Sequence, residues 1–119
     1  MGGPFVTKHK VLLVPFPFDD LSGSKLRPAV CLTNPVGPHK HVVLAFITSR
    51  IAADPQDTDV ILDDASPDFP TTGLRFSSTL HLHRLMTVTT SVIQRELGEL
   101  PPGLQAEVAA KLRVLFELP

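Results

Sequence analysis

The chain has 119 residues, 43% hydrophobic and 19% charged, enough for one domain around one core and too apolar for a disordered chain. A formal net charge of −1 excludes a generally basic nucleic-acid coat. The longest apolar runs, about five residues, fall far short of the roughly 20 that a membrane helix needs. Charge is nevertheless segregated: residues 51–70 hold six Asp and no Lys or Arg, whereas residues 1–50 hold six Lys or Arg and two acids. Such a distribution fits either a small phosphate-binding surface or a solvated acidic loop with scattered lysines. The start, MGGPFVTKHK, has no long apolar stretch, so no signal peptide is expected. The single Cys31 has no partner for an internal disulfide, and both features fit a cytoplasmic protein.

Val11-Leu12-Leu13-Val14 reads as a first strand, closed by Pro15 and Pro17. A polar loop containing Gly23 follows from Asp19 to Lys25, and a second strand is expected from Pro28 to Thr33, with the proline at its start. Asn34 to Pro38 is a break, and His41 to Thr48 is the third and most hydrophobic strand. The Asp- and Pro-rich stretch 51–70 leaves room for one short strand, Asp59 to Leu62, and Pro70 to Gly73 marks a turn. Thr79 to Leu85 alternates, with Leu80 and Leu82 on one side and Thr79, His81 and His83 on the other. Val88 to Leu97 reads as a hairpin partner or final strand pair closed by Gly98. After Pro101-Pro102 the period changes: Leu104, Val108, Leu112 and Leu115 define one face of an amphipathic helix. Short strands and one terminal helix predict a mainly β fold, a small antiparallel barrel or strongly bent sheet in a single domain over residues 1–119.

One stretch stands out. In PFPFDDLSGSKLRPAV, Pro15 to Val30, an arginine is fixed by a following proline where a buried strand begins. Alone, Arg27 reads as readily as a strand-end residue paired with Asp19 or Asp20. The wider segment VLLVPFPFDDLSGSKLRPAVCLTN resembles the opening of the PemK/MazF family of type II toxin–antitoxin ribonucleases. VVLAFITSR at Val42 to Arg50, GLRFSSTLHLHRL at Gly73 to Leu85 and the tail from VIQRELGELPPG into the helix continue the resemblance in order.

The resemblance implies a small SH3-like antiparallel barrel of the PemK/MazF/CcdB kind with a C-terminal helix, working as a homodimer and silenced by a cognate antitoxin. It also implies metal-independent endoribonuclease activity on single-stranded RNA, with the 2′-OH as nucleophile and no cofactor. Arg27 falls at the family's catalytic arginine and Thr48 at its phosphate-holding hydroxyl, with Ser49 beside it. The loop residues Ser22, Ser24 and Lys25, together with Ser49 and Arg50, are the expected RNA contacts. Some relatives carry Arg and Asp two apart where this chain has His81-Leu82-His83. Histidines suit acid–base work near neutrality, so His81 and His83 either replace that pair in catalysis or leave a weaker enzyme. His39-x-His41 and His81-x-His83 also have a metal-ligand spacing, but no Glu lies at a recognisable interval and Cys31 is isolated, so no metal site is expected. His9, His39 and His41 read as surface residues beside turns. Phe16, Phe18 and Phe76 are the candidates for base stacking, each as readily core or rim. Two other readings share this sequence: a non-catalytic CcdB-like barrel that poisons a protein such as DNA gyrase, and an impaired member that retains only antitoxin binding.

Overall fold

Aliphatic and β-branched runs, separated by Pro- and Gly-bearing breaks, form six strands and one helix in the computed structural model, which describes residues 6–16 and 25–119. The strands are β1 (Lys10–Phe16), β2 (Lys25–Cys31), β3 (His41–Thr48), β4 (Asp59–Leu62), β5 (Ser78–Thr89) and β6 (Arg95–Glu99), followed by helix α1 (Pro102–Leu115). All pair antiparallel in one sheet of order β4-β5-β3-β2-β1-β6, curled into a half-barrel.

Both sheet faces are covered, which explains why β1 and β3 are apolar almost throughout rather than alternating. On one face Val11, Val30, Ala45, Ile47, Leu80 and Leu82 pack with Phe69, Leu100 and Val108. Leu104, Leu112 and Leu115 of α1 lie against this cluster, as their helical spacing predicts. On the other face Leu12, Val14, Phe16, Ala29, Leu44 and Phe46 pack beneath Met86, Val88 and Ile93.

The structure corrects several strand limits. β1 runs on through Pro15, opposite Leu26, and β2 begins at Lys25, so Pro28 sits mid-strand opposite Leu13. Both prolines are tolerated because each lies where the second neighbour has stopped: β6 pairs with β1 only from Lys10 to Leu13, and β3 pairs with β2 only from Ala29 to Cys31. Val88 and Thr89 finish β5 rather than opening a hairpin, and a 3₁₀ turn at Thr90–Val92 precedes β6. β5 reaches 12 residues because a register shift faces consecutive β3 residues, Phe46 and Ala45, with His81 and Leu85; residues 82–84 bulge out between them.

Gly98 lies inside β6 instead of closing it. A Cβ there would overlap the backbone of Thr71 and Thr72, so close approach of the chain requires glycine. Gly73 faces the same constraint from Leu97 and also has φ +73°. Gly73→Ala is therefore expected to destabilise the fold by about 2–4 kcal/mol, steric overlap adding to left-handed strain. Gly37 has φ +76° and nothing within 4 Å of a built Cβ, so Gly37→Ala should cost only about 1 kcal/mol; urea titration of both variants reads the difference.

Candidate active site

Strand parity puts the candidate residues on one face. Arg27 shares its side of β2 with Ala29, Ala29 pairs with Phe46, and Phe46 shares its side of β3 with Thr48. Phe46 pairs with His81 across β3–β5, and His81 pairs with Asp59 across β4–β5. Continuing the β2–β3 register by two residues would set Arg27 opposite Thr48, but the pairing stops at Ala29. The two strands part there around a hollow of about 120 Å³ lined by Phe16, Arg27, Phe46, Ile47, Thr48 and Arg84. A larger hollow of about 520 Å³ is lined by Thr48, Arg50, Ile51, Ala52, Ala53, His81 and Arg84. Thr48 and Arg84 border both, so the two hollows adjoin and together make up the groove. The Arg84 guanidinium lies 5.7 Å from the centre of the Phe16 ring, close enough for a cation–π contact that steadies its position.

Three side chains form a relay across β4, β5 and β3. Asp59 Oδ1 lies 3.0 Å from His81 Nδ1, and His81 Nε2 lies 2.9 Å from Thr48 Oγ1. A carboxylate only accepts, so the neutral ring carries its hydrogen on Nδ1 and donates it to Asp59. That leaves the Nε2 lone pair facing Thr48, whose hydroxyl donates. The other carboxylate oxygen, Asp59 Oδ2, accepts the Gln56 backbone N–H at 2.8 Å. The relay runs from a buried end to an open one: the Asp59 and His81 side chains are 2% and 13% exposed.

Helix α1 braces the relay. Lys111 Nζ donates to the Asp59 backbone carbonyl at 2.6 Å and pairs with Glu107 Oε2 at 2.9 Å. Lys111→Met keeps the apolar stem but leaves that carbonyl without its charged donor. An expected loss of about 1–2 kcal/mol can be read by chemical denaturation.

The other candidates scatter. Arg50 joins the larger hollow. Lys25 is exposed at the start of β2, opposite Phe16 and on the Arg27 side. Ser49 faces away, into a separate hollow with Gly73, Arg75 and Arg95. His83 is 45% exposed and borders neither part of the groove; its Nδ1 lies 3.9 Å from Asp59 Oδ1, beyond hydrogen-bond reach. Ser22, Ser24, Phe18, Asp19 and Asp20 lie outside the described residues. Phe16 is buried edge-to-face against Phe46 at 4.3 Å and belongs to the core, while Phe76 is exposed beside the Ser49 hollow. His39 and His41 are exposed neighbours, but His9 is half-buried, and burial lowers its pKa.

Sequence reasoning missed Asp59 and Arg84. Asp59 stood only as the first residue of a short strand, and only the β4–β5 register brings it to His81. Arg84 has the wrong parity for a regular strand, and the bulge in β5 returns it to the groove.

Residues 7–116 match the family described as PemK-like, MazF-like toxin of type II toxin-antitoxin system. The chain belongs to this family. None of the curated proteins matches the sequence of this PemK/MazF-like toxin. Solved structures do resemble its fold. The Mycobacterium tuberculosis toxin MazF-mt6 superposes with a TM-score of 0.70 at 22% identity, over 92% of this chain and 98% of that one. The MazE-MazF structure (Form-II) from Deinococcus radiodurans gives 0.72 at 19% identity, over 98% and 100%. A mycobacterial endoribonuclease in complex with its cognate antitoxin gives 0.69 at 15% identity, over 96% and 97%. The family and fold expected from the Arg27 stretch therefore hold for this toxin, as a curled antiparallel sheet with one C-terminal helix. Among the described residues no helix is long and apolar enough to cross a membrane.

Proposed function

We propose that this toxin is an endoribonuclease that cleaves single-stranded RNA in the cytoplasm without a metal ion, through attack of a ribose 2′-oxygen on its own phosphorus. The observation that carries this reading is the groove that holds Arg27 and Thr48 in one hollow, with the Asp59–His81 relay behind the hydroxyl. The residues present supply the required chemistry. The scissile phosphate sits between Arg27 and Arg84, whose guanidinium groups offset the charge that grows on its non-bridging oxygens. Thr48 turns its O–H from His81 to donate to one of those oxygens, which frees His81 Nε2. That nitrogen takes the proton from the 2′-OH, and Asp59 holds the resulting imidazolium. The new O–P bond closes a 2′,3′-cyclic phosphate, and the 5′-oxygen departs as a hydroxyl after taking a proton from solvent in the open groove. Arg50 and Lys25 flank the groove as contacts for neighbouring phosphates.

The toxin is further read as a homodimer held silent by a cognate antitoxin, a reading supported by family membership and by the antitoxin-bound mycobacterial neighbour. Incubation of purified protein with a long RNA in EDTA tests the activity. Discrete fragments ending in cyclic phosphate and 5′-OH are expected. Intact RNA alongside inhibited DNA gyrase would move the toxin to the protein-poisoning class. Intact RNA with unaffected gyrase would leave antitoxin binding alone.

A further inference from the structure

His83 plays no part in the chemistry above, yet it is not isolated. One ligand atom each from Asp59, His81 and His83 lies within 4.8 Å of the others. Asp59 Oδ1 is the shared vertex, 3.0 Å from His81 Nδ1 and 3.9 Å from His83 Nδ1. Gln56 fixes the other carboxylate oxygen, so Oδ1 is held facing both rings. The rings stand nearly perpendicular, at 88° with centroids 5.9 Å apart, rather than stacked, so lone pairs can converge from two directions. Burial grades outward from the 2% exposed carboxylate to the 45% exposed His83, which leaves an entry path.

We propose that Asp59, His81 and His83 form a binding site for a divalent transition-metal ion of the zinc type, and that its occupancy switches the ribonuclease off. Two imidazoles and one carboxylate, with solvent in the remaining position, are a donor set that suits Zn²⁺. Mg²⁺ prefers oxygen ligands and is not expected to compete. Bonds of about 2.0–2.1 Å place tetrahedral ligands a little over 3 Å apart, so modest ring rotation closes the triangle.

The switch rests on the proton-transfer role given to His81 above. In the metal-free relay the ring hydrogen is on Nδ1 and Nε2 has the free lone pair. A metal ion on Nδ1 needs the lone pair of that nitrogen, so the ring hydrogen moves to Nε2, where it faces Thr48. The ring can then donate to the groove but can no longer accept the 2′-OH proton. The same ion draws the Asp59 charge away from the imidazolium that the reaction needs.

The test pairs a binding measurement with a cleavage measurement. Chelator-stripped toxin is titrated with Zn²⁺ by calorimetry, with Co²⁺ as a spectroscopic probe of the ligand set. One-to-one saturable binding is expected, weakened at least about 10-fold in both Asp59→Asn and His83→Ala. RNA cleavage is then read as the ratio of rates in EDTA and in saturating Zn²⁺. Wild-type toxin should fall at least about 10-fold in Zn²⁺ and not in Mg²⁺, while His83→Ala should show a ratio near one. Absent binding, or binding equally strong in both variants, overturns the site. Full-rate cleavage by the zinc-saturated wild type overturns the switch. Specific binding with RNA left intact even in EDTA would uphold the site and instead overturn the nuclease reading on which the switch rests.

Discussion

Asp59→Asn is expected to slow RNA cleavage by about 10²–10⁴ while leaving the toxin folded. The substitution is nearly isosteric, yet one backbone contact dictates how the amide must sit. The Gln56 N–H needs an acceptor at the Oδ2 position, so the amide oxygen takes that place and the NH₂ group turns toward His81. An NH₂ group facing Nδ1 donates to it and forces the ring hydrogen onto Nε2. The base is then lost through the wrong tautomer rather than through lost packing. A structural defect would lower the amount of active protein without altering its titration behaviour. The tautomer effect should instead lower kcat with little change in KM and flatten the rise of rate with pH. Unchanged kcat and an unchanged profile would remove the relay from the mechanism.

Arg27→Ala carries the second large effect. A guanidinium at the edge of a low-dielectric hollow contributes most when charge accumulates on phosphorus, and loss of one such donor typically costs about 10²–10³ in rate. Arg27→Lys restores the charge without the planar fork and should recover only part of that loss. Single-turnover cleavage in EDTA reads both variants. Arg84 gives an internal comparison, because it lines the same hollow from β5, beyond β3, and is steadied by the Phe16 ring. If Arg27→Ala cleaves at the parent rate, the phosphate does not lie between Arg27 and Arg84.

Much of the scaffold was legible because its signals are local. His41–Thr48 and Asp59–Leu62 fold within the limits their apolar runs and flanking breaks predict, and the spacing of Leu104, Val108, Leu112 and Leu115 predicts the helix face that packs. The alternation in Thr79 to Leu85 correctly separates Leu80 and Leu82 from His81. Features that depend on pairing were not legible. The bulge at residues 82–84 breaks the period of two and hides both the length of β5 and the facing of Arg84. The Asp59–His81 contact joins residues 22 apart, and nothing in the composition of either segment specifies their register. Pro15 and Pro28 read as strand limits because a proline removes a ladder donor, but that penalty vanishes where a strand has only one neighbour.

Those two prolines also bear on how the sheet resists unwanted backbone pairing. Among the described residues the strand pairing of β1 with β6 stops at Leu13 and that of β2 with β3 stops at Ala29, and an open sheet margin ordinarily invites another extended chain to dock and nucleate aggregates. A ring nitrogen without an amide hydrogen takes a rung out of any such ladder. The lips of the groove are thereby poor templates for backbone zippering, and a molecule entering there must be gripped by side chains instead.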